Sequence, residues 1–395
     1  MRAHITVLWL AGVFAAAQLA KFTVLGPALR ERFGFSLPVL GALVSLLELA
    51  GATLGLLSGI ALGALGARRS LLIGVAMTTA FTVAEALALN GATIFAARAA
   101  EAVGYLLIVV GAPTMMIKLT SAGSARNNAM VLWSTFIPVG LGLGSILTGL
   151  LETLAGAQGA ILAWSVFGIA VGVALLILPV APDTIPPRSK ARRRMPAAAA
   201  WLMTGGFGFY TLFLCAMTGL LPSFMLERHG ATVTLAGLLV GLVALSALPG
   251  TALAMALVRM VGTSASSTRW IVATVSLIAA LIAPTLYSVS GLITCAAVGA
   301  AVHVFAGVAR TIIFSRLPAI SGATGPEDPR MAASQGLLTQ FGAAGALLGP
   351  PLGALVVERS GWQALGILVS FLILVMLALV WAGEALDSRR CRTSV

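Results

Sequence analysis

Charge is what this chain has least of. Only 9 % of its 395 residues are Asp, Glu, Lys or Arg, against about 25 % in a soluble domain. Apolar residues make up 59 %. A water-facing surface cannot be built from that composition, so a soluble globular domain is excluded. Carboxylates are scarcer still, 12 against 24 basic residues. Cysteine occurs three times, at Cys215, Cys295 and Cys391. The count is odd and the spacing is not that of a zinc site, so neither a disulfide framework nor a structural metal follows. The chain has no H-E-x-x-H, no phosphate loop and no Ser/His/Asp set within one apolar region. An enzyme embedded in a membrane needs such a cluster. No cofactor and no metal site are expected; Met115, Met116, Cys295 and His303 are metal ligands by type only. No gap between apolar runs is long enough for the soluble domain a membrane receptor carries.

What is present is a series of long apolar runs. Twelve are counted, at about 6–28, 38–62, 70–89, 92–117, 128–151, 158–181, 199–226, 231–257, 270–288, 291–314, 331–357 and 362–385. A helix needs about 20 apolar residues to cross a bilayer, and each run is long enough. The first 25 residues have the charge and apolar core of a signal peptide. Because such runs continue to the C-terminus, they read as a first membrane helix.

The net charge of +12 invites a nucleic-acid reading, but the placement of the charges argues against it. Arg2, Arg68, Arg69, Lys118, Arg126, Arg188 to Arg194, Arg259, Arg269, Arg316, Arg330 and the tail put 17 of the 24 basic residues in alternate gaps. The opposite gaps hold four, and Lys21, Arg98 and Arg310 fall inside runs. That alternation is the positive-inside rule. It predicts a multi-pass protein of the inner membrane with both termini cytoplasmic, and no nucleic-acid partner.

One gap stands apart. "APDTIPPRSKARRRMP" (181–196) joins three prolines in its first seven residues to five basic residues. A Pro-rich, self-repelling stretch is a linker. It divides the chain into 1–181, a cytoplasmic segment 182–197, and 198–395. Internal echoes support the division. "GLGLGSILTG" (140–149) and "GALLGPPLGA" (345–354) both carry G-x-x-x-G, at Gly140/Gly144 and Gly345/Gly349. Small residues four apart let helix backbones approach closely in lipid. "GIALGALGARR" (59–69) and "GTALAMALVRM" (250–260) both place Arg nine residues after Gly.

These features resemble the major facilitator superfamily of secondary transporters, over the whole chain. "GIALGALGARRS" is similar to that family's loop G-x-L-A-D-R-x-G-R-R, with Gly59, Gly66 and Arg68 on pattern and Gly63 in place of the loop Asp. "RAAEAVG" (98–104) resembles the Arg-containing motif of helix 4. "GALLGPPLG", with Pro350, resembles a Gly-Pro motif of exporters, whose better copy is here in span 11; Ser145 stands for the proline in span 5. The resemblance implies an all-α membrane protein of twelve transmembrane helices in two pseudo-symmetric six-helix halves. It implies a cavity lined by helices 1, 4, 7 and 10 that opens alternately to each side.

The ionisable residues inside the spans are functional candidates. Lys21 on span 1 and Glu48 on span 2 lie at similar depth when each residue is given about 1.5 Å of rise. Glu85 and Arg98 form a second pair near the outer ends of spans 3 and 4, and Glu101 shares a helix face with Arg98. Two readings stand: structural pairs that hide charge from lipid, or a site in which Lys21 and Arg98 bind an anion while Glu48, Glu85 and Glu101 couple to protons. Arg310 reads as snorkelling to the interface. His303 is a buried imidazole, a substrate contact or a proton site. Gln18, Tyr105, Trp133, Phe207, Tyr210, Gln335 and Gln340 are the polar and aromatic candidates for the cavity wall. "GGFGFY" (205–210) reads as a bend in span 7. The expectation is a monomeric, proton-coupled transporter of a small organic anion or zwitterion. An exporter of amphipathic compounds is the alternative; a receptor or a membrane enzyme is the alternative from another class.

Overall fold

The structure is a computed structural model that describes residues 2–55, 65–120, 124–177, 195–262, 264–323 and 328–393. Gly59 and most of the basic segment 182–197 lie outside the described residues. The helices are α1 (Arg2–Val24), α2 (Gly26–Phe33), α3 (Leu37–Ser45), α4 (Ala67–Ala86), α5 (Gly91–Leu119), α6 (Ser124–Ser134), α7 (Phe136–Ile177), α8 (Ala198–His229), α9 (Val233–Leu245), α10 (Ala247–Val261), α11 (Ala265–Ile282), α12 (Leu292–Ile320), α13 (Pro329–Ser360) and α14 (Trp362–Thr393). A 3-10 turn, Leu46–Glu48, follows α3.

Ten segments among the described residues are long and apolar enough to cross a membrane. One runs from 128 to 177, 50 residues, or about 75 Å of helix. That is far more than one crossing needs, since the hydrocarbon core is about 30 Å thick. Inside it Gly156 has φ 69° and ψ 174°, a left-handed φ that favours glycine, so the chain turns there and the segment is two helices. α4 has 20 residues but carries Arg68, Arg69 and Glu85, which lowers its apolarity below that of the ten. Counting α4 and dividing the long segment gives twelve long helical segments among the described residues.

Packing repeats between the two parts of the chain. α1 lies along α7 as α8 lies along α13. The small residues explain the approach. A Cβ on Gly140 would stand 2.5 Å from the Ala16 Cβ and 2.7 Å from the Val13 carbonyl oxygen. A Cβ on Gly349 would meet the Leu212 carbonyl oxygen and, at 2.9 Å, the Ala216 nitrogen. Gly144 against Ala17 and Gly345 against Gly208 complete the pattern. Each G-x-x-x-G therefore seats the first helix of its own part. Large apolar side chains such as Val166, Ile169 and Leu281 are exposed on the outer faces, as lipid contact requires.

Two helix pairs join the parts: α3 with α13, and α7 with α9. Gly41 lies against the Pro350 carbonyl, and Gly237 and Gly241 against the carbonyls of Ser145 and Gly142. The joined end is the one without the basic excess. There Phe22, Leu25, Leu29, Leu37, Leu40, Ile94 and Ile161 share one apolar core with residues 199–380. Toward the basic end the first part has its own core, with Ile5, Leu8, Ala11, Leu47, Leu71, Met115 and Leu175. Among the described residues the parts thus share a core at one end, while at the other the first part has a core of its own.

Candidate functional site

Near the joined end, α1, α4 and α5 bring four charges together. The Lys21 ammonium pairs with Glu85, and it lies 3.1 Å from Glu101 Oε1. Arg98 Nη1 is 2.6 Å from Glu101 Oε2 and 3.7 Å from Glu85 Oε1. Two cations and two carboxylates sum to zero, and all four side chains are fully buried. An unpaired charge at such a place is costly; here each is opposed by two others.

Polar groups complete the cluster. Lys21 donates to the Thr82 hydroxyl at 3.1 Å. That hydroxyl stands 3.1 Å from Glu101 Oε1 and 3.3 Å from Gln18 Oε1, and its one proton serves one of them at a time. Arg98 Nη2 donates to the Gln18 carbonyl at 2.9 Å and to the Val44 carbonyl at 3.2 Å. The second bond has a local cause. The α-helix ends at Ser45 and tightens into the turn Leu46–Glu48, which leaves carbonyls of the last turn for other donors. Both cations also lie over the Phe22 ring, Arg98 at 4.6 Å and Lys21 at 5.2 Å from its centroid.

Glu48 stands outside this cluster. It is half-buried, and Tyr105 donates to its Oε1 at 3.1 Å. The expected Lys21–Glu48 pair is therefore corrected: Lys21 takes Glu85 and Glu101. Glu101 and Tyr105 are one turn apart on α5, and Glu48 meets the lower of the two. Depth along a helix axis had matched Lys21 with Glu48, but the sides on which they emerge differ. The Glu85–Arg98 contact exists at 3.7 Å, and it is secondary to Arg98–Glu101. Lys21 and Arg98 face this cluster and not a wet cavity.

The other expected residues are spread through the fold. Gln18 is buried and donates to the Phe14 carbonyl at 3.3 Å. Tyr210 is buried and stacks on Phe207 with centroids 5.5 Å apart. Gln340 is half-buried, and its backbone is 3.1 Å from a Cβ built on Gly55, at the α3–α13 side of the seam. His303 is buried, with Nδ1 3.1 Å from the Gly299 carbonyl. A carbonyl only accepts, so Nδ1 carries a proton. Gly66 caps α4 with φ 83°, and Arg68 lines a small apolar recess with His4, Leu8 and Met115.

Arg310 does not snorkel. Ten residues of α12, about 15 Å, separate it from the helix end at Ile320. Its Nη2 donates to the Thr251 hydroxyl on α10 at 3.1 Å. The side chain turns into the bundle. Nearer the basic end, Arg316 Nε and Nη2 grip the Glu384 carboxylate at 2.7 Å each, which ties α12 to α14. Sequence reasoning missed Thr82 and Thr251, because a threonine in a membrane helix usually bonds its own backbone, as Thr114 and Thr218 do here.

Comparison with known proteins bears on the whole chain. The family model described as Major Facilitator Superfamily matches residues 8–325. No curated protein matches the sequence. Among solved structures, a bacterial homologue of the human lysosomal transporter Spinster, inward-facing and unoccupied, superposes with a TM-score of 0.78 at 13 % identity, covering 98 % of this chain and 97 % of that one. A bacterial homologue of Spinster in its occupied inward-facing form gives 0.72 at 18 % identity, with 98 % and 96 % covered. A point mutant of the nucleoside transporter NupG gives 0.74 at 14 %, with 96 % and 99 % covered.

Proposed function

Because the chain belongs to the Major Facilitator Superfamily, we propose that it is a proton-coupled secondary transporter of a small organic anion or zwitterion. One observation carries the coupling. Apart from the exposed Glu31 on α2, Glu48 is the carboxylate of residues 2–119 left outside the neutral cluster, and among the described residues its partner is an uncharged hydroxyl, that of Tyr105. Arg98 and Cys215 lie within electrostatic reach of it. A half-buried carboxylate with no cation in contact can take up and release a proton as its surroundings open and close. Lys21 and Arg98 are opposed by their own carboxylates, so they hold the first part of the chain together and leave solute binding to other groups.

The positive-inside pattern puts the basic end in the cytoplasm, with both termini there and the protein in the inner membrane. The shared apolar core at the opposite end then supports an inward-facing form, closed on the outside. Reporter fusions after Arg390 and Arg228 test the orientation. The first should read cytoplasmic and the second periplasmic, and the reverse result overturns it.

Proteoliposomes with a trapped pH dye test the coupling. Addition of a transported solute should move protons in the wild type. Glu48→Gln should keep exchange of solute at equal concentrations and lose uphill accumulation driven by a pH gradient. Solute movement with no proton movement in the wild type would sink the coupling. Export of amphipathic compounds is the second reading. The aromatic pairs Phe207–Phe314 and Trp201–Phe341 favour it, and an inward-turned Arg310 disfavours cationic drugs.

A further inference from the structure

The basic end carries a grouping of another kind, on the outside of the bundle. Arg269 and Trp270 stand near the start of α11, and Trp381 stands toward the end of α14. The Arg269 guanidinium lies over the Trp381 ring, 5.6 Å from its centroid. Trp270 meets the same ring edge to face, with centroids 5.5 Å apart. Trp270 is 65 % exposed, so the grouping faces outward. Tryptophan, with an apolar body and a polar N–H, collects where hydrocarbon gives way to headgroups.

From there α11 and α14 run side by side toward the middle of the membrane. Ser370 Oγ donates to the Ala280 carbonyl at 2.7 Å, which fixes the far end of this seam. Ala280 is ten residues beyond Trp270, or about 15 Å along the helix. The hydrocarbon core is about 30 Å thick, so the seam has the length of one leaflet's acyl chains. Its flanks are apolar: Leu277 and Leu281 on α11 and Phe371 and Leu374 on α14 are exposed.

Charge selects the headgroup. No Asp or Glu occurs from residue 228 to 326, a stretch that holds Arg228, Arg259, Arg269, Arg310 and Arg316. The carboxylates of α14 at this end, Glu384 and Asp387, are held by Arg316 of α12. A guanidinium stacked on an indole offers phosphate oxygens the N–H edge in its own plane. Basic recesses between membrane helices on the cytoplasmic side take anionic headgroups. A zwitterionic headgroup would bring an ammonium to a place rich in arginine, and an anionic one brings none.

We propose that the α11–α14 seam at the basic end is a site for one anionic diacyl phospholipid. Its phosphate lies at Arg269, its glycerol backbone against Trp270 and its acyl chains along the seam. The site depends neither on the solute nor on proton coupling.

The test places the full chain in phosphatidylcholine vesicles that hold a minor fraction of phosphatidylglycerol with the same acyl chains. Bromine on an acyl chain quenches a tryptophan that it touches. In one sample the phosphatidylglycerol is brominated, and in the other an equal fraction of the phosphatidylcholine. The quenching that disappears in Trp270→Phe belongs to the site. In the wild type that part should be about three- to fivefold greater with the anionic lipid, the scale of one basic side chain at an anionic surface. Arg269→Gln should bring the two lipids close to equal, and Arg269→Lys should keep part of the excess. Arg69→Gln, at an exposed arginine of the same end, should leave the excess unchanged. Equal quenching by both lipids in the wild type overturns the proposal, whether or not the variants fold. An excess that survives Arg269→Gln also overturns it, and so does one that Arg69→Gln lowers as much, since either is the diffuse attraction of a basic surface.

Discussion

At Lys21 the chain places an ammonium among apolar side chains, where insertion costs about 3 kcal/mol. Glu85 and Glu101 offset that cost, and Arg98 balances the second carboxylate. The group behaves as a unit, so removing one member leaves the others mismatched. Glu85→Gln leaves two cations on one carboxylate, and Lys21→Met leaves two carboxylates on one cation. Each should lower the melting temperature strongly, on the scale of about 3–5 kcal/mol for a broken buried pair. The double variant restores neutrality and should cost clearly less than the sum. Strict additivity in that cycle would show that the two side chains do not interact. Lys21→Ala belongs to the same class, and its loss of transport should come with a loss of stability.

How much of this site the residues announce follows from what a sequence encodes. The need for Lys21 to have a carboxylate partner is visible, because charge in an apolar run is rare. Which carboxylate it takes is not visible. The rise per residue gives depth, and only the packed helices give azimuth. Glu101 sits three residues from Arg98 and was legible as its neighbour. Arg310 was misread because six residues separate it from Arg316, and a cation near a helix end normally reaches for the interface. Nothing in the run "HVFAGVARTIIF" marks which side of α12 faces Thr251.

At the scale of elements, the glycine spacing was the more reliable text. Gly140/Gly144 and Gly345/Gly349 mark contacts of backbone on backbone, and both pairs make them. The break after Ser45 carried no such sign, since neither Gly nor Pro falls between 42 and 50. The contacts can be tested by contrast. A Cβ at Gly349 has no room between Leu212 and Ala216, whereas Gly205, also in a helix, has nothing within 4 Å. Gly349→Ala should therefore lower the melting temperature. Gly205→Ala should leave it unchanged or raise it, because alanine is better than glycine in a helix by about 1 kcal/mol. Equal effects from the two would mean that α8 and α13 are not packed at that register.

Across the whole molecule, the joined end depends on few polar contacts. Arg30 on α2 pairs with Glu227 on α8 at 2.8 Å, with both side chains a third or more exposed. Glu358 accepts from the Leu37 N–H at 3.1 Å. Thr153 on α7 bonds Thr234 on α9. An exposed ion pair contributes about 0–1 kcal/mol, so the end is closed mainly by apolar packing and can reopen. Alternating access requires that it reopen, which separates α7 from α9 at Thr153–Thr234. A disulfide there would prevent the separation. The two hydroxyls touch, so cysteines at both positions place their sulfurs where a bond of about 2.05 Å can form. The Thr153→Cys/Thr234→Cys variant should transport when reduced, lose transport when oxidised, and recover it with a thiol reductant. Solute binding from the basic end should survive oxidation, because the bond lies at the opposite end. Full transport by a completely oxidised sample would show that the seal does not part, and the rocking of the two halves about the site would have to be given up.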